Sequence, residues 1–250
     1  MRPRPALDRV HPADGRFAAR TTPGVGSRDR RVGRARAALC PTRSPGDAVA
    51  QDSLIMLDFD GVIADSLDDQ SDAFVQTLSG EGLDHLATPG HFLDFLETNW
   101  FAALNAAGVP AGVAAQLEDS FSDLPSPELF PGMAAVVERL AAAHTVLVIT
   151  SSRTDDVERI LEEHGVRGVA EVIGGDQEAS KTHRICAARE RFGRARPAWY
   201  VGDTVGDILE AREAGVCTVG AAWGWHGPER LGRVAPDHMA HAPGDLLELF

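Results

Sequence analysis

The chain has 250 residues, of which 44% are hydrophobic and 24% charged, and no apolar run approaches the roughly 20 residues that a membrane-spanning helix needs. The formal net charge is −13, and residues 51–250 carry 33 acidic against 13 basic side chains. The lack of such an apolar run argues against a membrane-spanning protein. Because nucleic acids are bound through Lys and Arg, the acidic body argues against a nucleic-acid partner.

Residues 1–50 differ from the rest of the chain. They contain 11 Arg against four Asp, are rich in Pro and Gly, and show no helical or strand period. Such a composition predicts a disordered basic tail. A solvated tail, or a stretch that is not normally translated, is favoured over an RNA-binding arm or a transit peptide. Translation from Val49, if its codon is GTG, is one hypothesis that follows.

From residue 54 onward, short apolar runs alternate with amphipathic segments. The runs predict strands buried on both faces, at 54–57, 145–149, 169–173, 198–202 and 216–220. The segments between them predict helices, at 132–143, 154–164, about 180–192 and 206–214. This alternation predicts an α/β fold, a parallel sheet wrapped by helices, in which ligands bind at the carboxyl ends of the strands.

The first predicted strand ends in the sequence LDFDGVIADS. Side chains alternate along an extended chain, so Asp58 and Asp60 are expected on one side and Phe59 in the core. Gly61 then permits a sharp turn. Two carboxylates on one side repel each other, and this arrangement makes sense if a cation lies between them or if one holds a proton.

A long insertion follows the first strand. Residues 66–129 contain helical stretches near 67–79, 90–106 and 111–122, and no convincing strand. The insertion is too long for a simple loop and of the right size for a small helical subdomain. We therefore predict a core formed by residues 51–65 and 130–250, with residues 66–129 as an inserted helical subdomain that stands over the sheet edge.

The fourth predicted strand supplies two further carboxylates. Asp203 follows its last residues, and Asp207 lies four positions later on the first turn of a helix, so both lie on one face. With Asp58 on a neighbouring strand, two strand ends can bring three or four carboxylates to one point. Oxygen ligands without a His or Cys cluster indicate a hard cation, and Mg²⁺ fits best.

These motifs, taken together, resemble those of the haloacid dehalogenase (HAD) superfamily, in its phosphatase branch. Four motifs occur in the family's order: DxDGVxxDS from Asp58, a strand ending in Thr150-Ser151, Lys181, and GDTxxD with Asp203 and Asp207. The resemblance covers about residues 53–250, and Lys181 is the only lysine of the chain. The C-terminal stretch and the insertion are similar to the phosphoglycolate phosphatase-like subgroup. The resemblance implies a HAD-like Rossmannoid sheet with helices on both faces and an inserted all-helical cap.

The resemblance also implies catalytic roles for single residues. Asp58 corresponds to the nucleophile that forms an aspartyl-phosphate, and Asp60 to the acid and base. Thr150, Ser151 and Lys181 correspond to the residues that bind the phosphoryl oxygens. The implied activity is a phosphomonoester hydrolase whose partner is a small phosphorylated metabolite.

The implied cofactor is Mg²⁺. Asp58, the backbone carbonyl of Asp60, and Asp203 correspond to its ligands, and Asp207 to a residue that supports the ion through water. A phosphomutase resembling β-phosphoglucomutase shares these residues and stays an alternative. A phosphate-binding regulator without turnover is a third interpretation.

The cap sequence bears on the substrate. No Lys or Arg occurs between Arg43 and Arg139, and residues 66–129 contain 11 Asp or Glu. This argues against a strongly anionic leaving group held by the cap, and it favours a neutral polyol, sugar or nucleoside, or a cationic group. The aromatic residues of the cap are expected mainly in its own core. They include Phe92, Phe95, Trp100 and Phe101.

Two further expectations concern the remaining polar residues. The three cysteines show no C-x-x-C spacing, which excludes a thiolate zinc site and favours a reducing, cytoplasmic setting. The protein is expected to be a monomer or a homodimer. His226 and the other late histidines show no metal-ligand spacing and are expected at the surface or in loops.

Overall fold

The computed structural model describes residues 52–177 and 180–250. The predicted basic tail and the hypothetical start at Val49 lie outside these residues. Within the two ranges, no helix combines the length and the apolar character that a membrane crossing requires.

One parallel sheet forms the centre of the protein. Its six strands are β1 (Leu54–Leu57), β2 (Thr145–Ile149), β3 (Val169–Ile173), β4 (Ala198–Gly202), β5 (Cys217–Ala221) and β6 (His238–Ala240). They lie in the order β3-β2-β1-β4-β5-β6. Since β1 pairs with both β2 and β4, Leu57 is in register with Val148 and Val201, and the residues after these three strands meet at one edge.

A short 3₁₀ helix lies at Pro243–Asp245. The α-helices are numbered in chain order. They are α1 (Leu67–Gly80), α2 (Pro89–Phe95), α3 (Trp100–Ala106), α4 (Ala111–Ser122), α5 (Met133–Ala141), α6 (Thr154–Glu163), α7 (Lys181–Phe192), α8 (Val205–Glu213), α9 (Gly227–Gly232) and α10 (Leu246–Leu249).

Helices cover both faces of the sheet, as predicted. Ile55 belongs to a buried cluster that includes Val137 of α5 and Val157 of α6. Met56, the next residue, belongs to a second cluster that includes Ile185 of α7 and Ala211 of α8. Neighbouring residues of β1 therefore enter opposite layers, and this double burial explains the continuous apolar runs.

The structure adds one strand to the five that were predicted. β6 has only three residues, and the sequence His238-Met239-Ala240 contains no apolar run. It pairs with β5 alone, at the edge of the sheet. A short edge strand with few buried side chains leaves little pattern in a sequence.

Helices α1 to α4 pack around a third buried cluster, which contains Phe74, Phe92 and Leu117. The single helical stretch expected near 90–106 is wrong, because two helices occur there. The chain leaves α2 at Leu96 and starts again at Asn99, whose Oδ1 accepts a hydrogen bond from Ala102 N over 3.2 Å. This Asn side chain is a typical helix N-cap.

Both ends of the helical insertion leave the core side by side. Asp65 N donates to Glu128 O over 2.8 Å, and Phe130 N donates to Ile63 O over 3.0 Å. A second attachment joins α2 to the core: Arg230 of α9 forms ion pairs with Asp94 and Glu97. The insertion is thus held to the core at two separate places.

Candidate active site

Three buried carboxylates meet at the carboxyl edge of the sheet. Asp58 follows β1, Asp203 follows β4, and Asp207 lies in the first turn of α8. Oxygen atoms of the three lie within 4.8 Å of one another. Their residues are only 6%, 0% and 2% exposed, respectively. The three acids therefore lie together, as expected from the sequence.

Lys181 provides the positive charge of the cluster. It is the first residue of α7, and its Nζ donates to Asp58 Oδ2 over 2.8 Å and to Asp207 Oδ1 over 2.5 Å. Nζ also lies 5.7 Å from the ring centre of Tyr200, whose hydroxyl donates to Ile149 O. Lys181 is 6% exposed, so the ion pairs are shielded from solvent.

One ammonium does not balance three buried carboxylates. Burial, followed by the charge of Asp207, raises the pKa of Asp58 to about 8. Burial and the same neighbour also raise the pKa of Asp203 well above its usual range. Although burial opposes its charge, Lys181 and Thr204 lower the pKa of Asp207. The cluster is therefore short of positive charge.

The cluster fits a hard divalent cation. Asp203 Oδ1 is buried without a hydrogen-bond donor among the described residues, whereas Oδ2 accepts from Trp225 N over 2.7 Å. A Cβ at Gly61 would lie 1.9 Å from Asp203 Oδ2, and one at Gly224 would lie 2.3 Å from Asp203 Cβ. The two glycines thus leave room for a buried carboxylate that has a free oxygen. An all-oxygen donor set suits Mg²⁺.

The carboxylate of Asp60 lies outside this three-carboxylate cluster. Its Oδ1 accepts from Ser66 Oγ over 2.7 Å and from Gln70 Nε2 over 2.6 Å, and its Oδ2 accepts from Ser152 Oγ over 2.5 Å. Burial raises the pKa of Asp60, and the bonds from Ser152 and Ser66 offset part of that effect. Sequence reasoning did not single out these donors. The sequence feature that could have identified two of them is the spacing of Ser66 and Gln70, which lie one helical turn apart at the start of α1.

The two residues predicted beside Lys181 as phosphate ligands border the same cavity as the aspartates. Thr150 is buried, and its Oγ1 accepts from Ser152 N over 3.1 Å. Ser151 is exposed to the cavity. Both follow β2, the strand beside β1, so the sheet order brings them to the edge where Asp58 lies.

A cavity of about 360 Å³ lies between the helical insertion and the sheet edge, and we call it the main cavity. The insertion contributes aromatic and acidic side chains to its wall, among them Phe92, Trp100 and Glu118. Burial, followed by the charge of Asp119, raises the pKa of Glu118. Arg153 of the core also borders the cavity; its side chain is 59% exposed and lies 3.8 Å from Asp156. A space of this size accepts a small metabolite.

Phe92, Phe95 and Trp100 pack against Phe74, as expected of a core for the insertion. Phe101 is 42% exposed and borders the main cavity. The other three therefore have a packing role, and Phe92 and Trp100 also form part of the cavity wall.

His226, expected at the surface or in a loop, lies in a loop but is buried. Its Nδ1 accepts from Val205 N over 2.9 Å, and its Nε2 lies 2.9 Å from Leu93 O. Because Nδ1 accepts, Nε2 carries the proton and donates to Leu93. His226 thus joins the start of α8 to α2, and its backbone N donates to Asp203 O over 3.3 Å. No local sequence pattern marks this contact.

Residues 55–221 match the family of haloacid dehalogenase-like hydrolases. The chain is 28% identical over 205 residues to a phosphoglycolate phosphatase from Synechococcus elongatus, covering 78% of this chain and 95% of that protein. A phosphoglycolate phosphatase from Vibrio parahaemolyticus is 30% identical over 127 residues, covering 48% of this chain and 56% of that protein. A crystal structure of a hydrolase from Pseudomonas syringae superposes with a TM-score of 0.67 at 19% identity, covering 79% of this chain and 97% of that chain. This last likeness concerns the fold alone, and it agrees with the predicted α/β class.

Proposed function

Because this chain belongs to the haloacid dehalogenase-like hydrolase family, we propose that it is a Mg²⁺-dependent phosphomonoester hydrolase, similar to phosphoglycolate phosphatase, that acts through an aspartyl-phosphate on Asp58. The family match and the names of the relatives confirm the prediction that the chain is a phosphatase. The metal, the covalent intermediate and the roles of single residues are the proposal.

The position of Asp58 carries this proposal. Its Oδ2 is bound by Lys181 Nζ over 2.8 Å, and its Oδ1 accepts from Phe59 N over 2.8 Å. These two bonds fix the orientation of the carboxylate at the wall of the main cavity. A nucleophile that is held rigidly next to its substrate loses little entropy when it reacts.

In the first step, Asp58 attacks phosphorus and the bond between phosphorus and the alcohol oxygen breaks. Asp60 gives its proton to the departing oxygen, and the raised pKa of Asp60 favours the protonated form that this transfer requires. Lys181 and the hydroxyl of Thr150 bind phosphoryl oxygens. The product of this step is the free alcohol, with the phosphoryl group on Asp58.

In the second step, water attacks phosphorus. Asp60, now a carboxylate, takes a proton from that water, and the bond between phosphorus and Asp58 breaks. Inorganic phosphate leaves, and Asp58 is a carboxylate again. Ser66, Gln70 and Ser152 keep Asp60 in position through both proton transfers.

The carboxylates of Asp58, Asp203 and Asp207, with the backbone carbonyl of Asp60, are the groups that would hold Mg²⁺ directly or through water. When bound, the ion supplies positive charge that lowers the repulsion between a carboxylate and a phosphate dianion.

We also propose a role for the helical insertion. Residues 66–129 act as a cap that closes the main cavity over the substrate.

The test is phosphate release from a chromogenic aryl phosphate by the parent and by Asp58→Asn, with and without Mg²⁺. We expect Mg²⁺-dependent release that Asp58→Asn abolishes, because an amide does not attack phosphorus. Asp84→Asn, an exposed position in the insertion, is the matched control and is expected to keep full activity. Release that persists in Asp58→Asn contradicts the assignment.

A panel of phosphoglycolate, sugar phosphates and nucleotides then ranks the substrates. Accumulation of free phosphate is expected from the preferred ester. A phosphomutase would instead be activated by a bisphosphorylated sugar and would release little free phosphate.

A further inference from the structure

A buried arginine lies beside the proposed phosphoryl site. Arg184 follows Lys181 by three residues on α7, so both side chains lie on one side of the helix. Arg184 is 3% exposed, yet its Nε and Nη1 atoms have no hydrogen-bond partner among the described residues. Buried polar groups are almost always paired, so this pair of free donors indicates a missing ligand.

Arg184 borders a small side cavity of about 40 Å³. The side cavity is lined by Ser151 and Glu210 of the core and by residues 96 and 98–101 of the insertion. A single water needs about 10–15 Å³, so the side cavity has room for a small group but not for a sugar ring. Ser151, Lys181 and Asp207 border both cavities, and the side cavity is therefore adjacent to the proposed phosphoryl site.

The charges around the side cavity leave the guanidinium available. Lys181 and Asp207 are bound to each other over 2.5 Å. Glu210 also borders the cavity, but no described hydrogen bond joins it to Nε or Nη1 of Arg184. Burial lowers the pKa of Arg184 in spite of the acidic groups nearby. A buried guanidinium whose Nε and Nη1 have no partner among the described residues is costly, and an anionic ligand would offset that cost.

The geometry of the guanidinium selects the class of ligand. Its planar set of N–H donors matches the oxygens of a carboxylate or of a phosphate, and the carboxylate is the smaller of the two groups and suits a cavity of about 40 Å³. The insertion itself contains no Lys or Arg between residues 66 and 129. A Lys or Arg side chain that binds a second anionic group of the substrate must therefore come from outside the insertion.

We propose that Arg184 binds a carboxylate of the substrate in the side cavity, so that the enzyme prefers phosphorylated hydroxy acids to neutral phosphate esters. This inference rests on the proposed phosphatase function. The positive charge that determines substrate preference is then on α7, one turn from the lysine that binds the phosphoryl group.

The test compares two phosphonates that are not hydrolysed, 3-phosphonopropionate and propylphosphonate, which differ in one carboxylate. Their dissociation constants are measured by calorimetry in the presence of Mg²⁺. The parent is expected to bind the carboxylate-bearing compound about 10- to 100-fold more tightly, as for one charge-assisted hydrogen-bonded pair. Arg184→Met is expected to bind both compounds with similar affinity, while its binding of propylphosphonate stays within about threefold of the parent.

Arg153→Gln is the matched control, because Arg153 is the exposed arginine on the wall of the main cavity. It is expected to keep the preference. A preference that survives Arg184→Met, or one that is lost in Arg153→Gln, overturns the proposal. Arg184→Lys keeps the charge without the planar guanidinium, so we expect it to keep part of the preference. If both Arg184 variants lose the preference completely and also bind propylphosphonate more weakly, Arg184 has a structural role and the proposal is overturned.

The assay with aryl phosphate separates the two proposals. A parent that hydrolyses aryl phosphate but binds both phosphonates equally contradicts the role of Arg184 alone. A parent that neither hydrolyses aryl phosphate nor binds either phosphonate contradicts the proposed function and, with it, this inference. Denaturant unfolding of Arg184→Met should show at least parental stability, because Met replaces a buried charge with two donors that have no partner among the described residues.

Discussion

Ser152 Oγ donates a hydrogen bond to Asp60 Oδ2 over 2.5 Å, although 92 positions separate the two residues in the chain. Ser152 follows β2 and Asp60 follows β1, so the pairing of these strands brings the two side chains together. The bond connects the proposed acid and base to the loop that carries Thr150 and Ser151. In the proposed mechanism, proton transfer and phosphate binding therefore depend on one shared set of contacts.

The first prediction concerns this bond. Ser152→Ala removes one of three donors to Asp60, so we expect kcat to fall roughly 10-fold with little change in KM, equivalent to about 1.4 kcal/mol of barrier. Steady-state kinetics with aryl phosphate measure both constants. Ser120→Ala, whose hydroxyl donates only to Leu117 O within α4, should match the parent. Equal kinetics for the two variants would show that Ser152 does not position Asp60.

The second prediction concerns Asp203. Asp203→Asn removes one of three mutually repelling buried carboxylates, so the metal-free variant should be at least as stable as the parent. In the parent, Mg²⁺ at 100 times its dissociation constant should add about 2.7 kcal/mol to the free energy of unfolding. In Asp203→Asn this gain should largely disappear. Urea unfolding with and without Mg²⁺ measures both effects, and a full gain in the variant contradicts the proposed metal site.

The third prediction compares two glycines with nearly the same backbone. Gly61 and Gly82 have φ values of +74° and +73°, so alanine at either position should cost roughly 1–2 kcal/mol of stability. Only at Gly61 would the added Cβ meet Asp203, at 1.9 Å from Oδ2; no atom lies within 4 Å at Gly82. Gly61→Ala should therefore lose activity and Mg²⁺ binding, and Gly82→Ala should keep both. Similar activities would show that the space beside Asp203 is not needed.

The fourth prediction concerns the contact between the insertion and the core. His226→Ala leaves the buried Val205 N without its acceptor, and it removes one of two donors from Leu93 O, which still accepts from Leu96 N. The unpaired amide should cost about 1–3 kcal/mol of stability. Hydrogen exchange at the Val205 amide should become faster, since that amide loses its acceptor. His238→Ala, at the far edge of the sheet, serves as the comparison. Unchanged exchange at Val205 would contradict the joining role of His226.

The central strands could be predicted because each is buried on both faces. Leu54 and Met56 face one helical layer, Ile55 and Leu57 face the other, and the result is a continuous apolar run. β6 could not be predicted, because an edge strand of three residues needs no such run. The break between α2 and α3 depends on a single N-cap, Asn99, inside a stretch with helical character.

The carboxylate cluster was also predictable, because parallel pairing brings the ends of β1 and β4 to one edge. The separate position of Asp60 was not. Alternation applies along a strand, but the chain leaves the sheet after Leu57, and Asp60 forms only an isolated bridge with Ala64. Its side chain therefore meets Ser66 and Gln70 rather than the three buried carboxylates.

Arg184 and His226 show what the sequence leaves open. Both lie where the helical insertion approaches the core: Arg184 borders the side cavity together with residues 96 and 98–101, and His226 contacts Leu93, 133 positions away in the chain. On its own, Arg184 is one of several arginines on α7. That its Nε and Nη1 have no hydrogen-bond partner among the described residues is information that only the structure provides.

The most direct measurement is acid quench of the enzyme during turnover of phosphoglycolate or aryl phosphate, followed by peptide mass analysis. We predict one added phosphoryl group on the peptide that contains Asp58. With aryl phosphate, whose leaving group departs without a proton from Asp60, the fraction should be larger in Asp60→Asn, because the amide does not activate the attacking water. Asp58→Asn should show no such group. Turnover without a phosphoryl group on Asp58, under conditions that trap acyl-phosphates, would contradict the proposed mechanism.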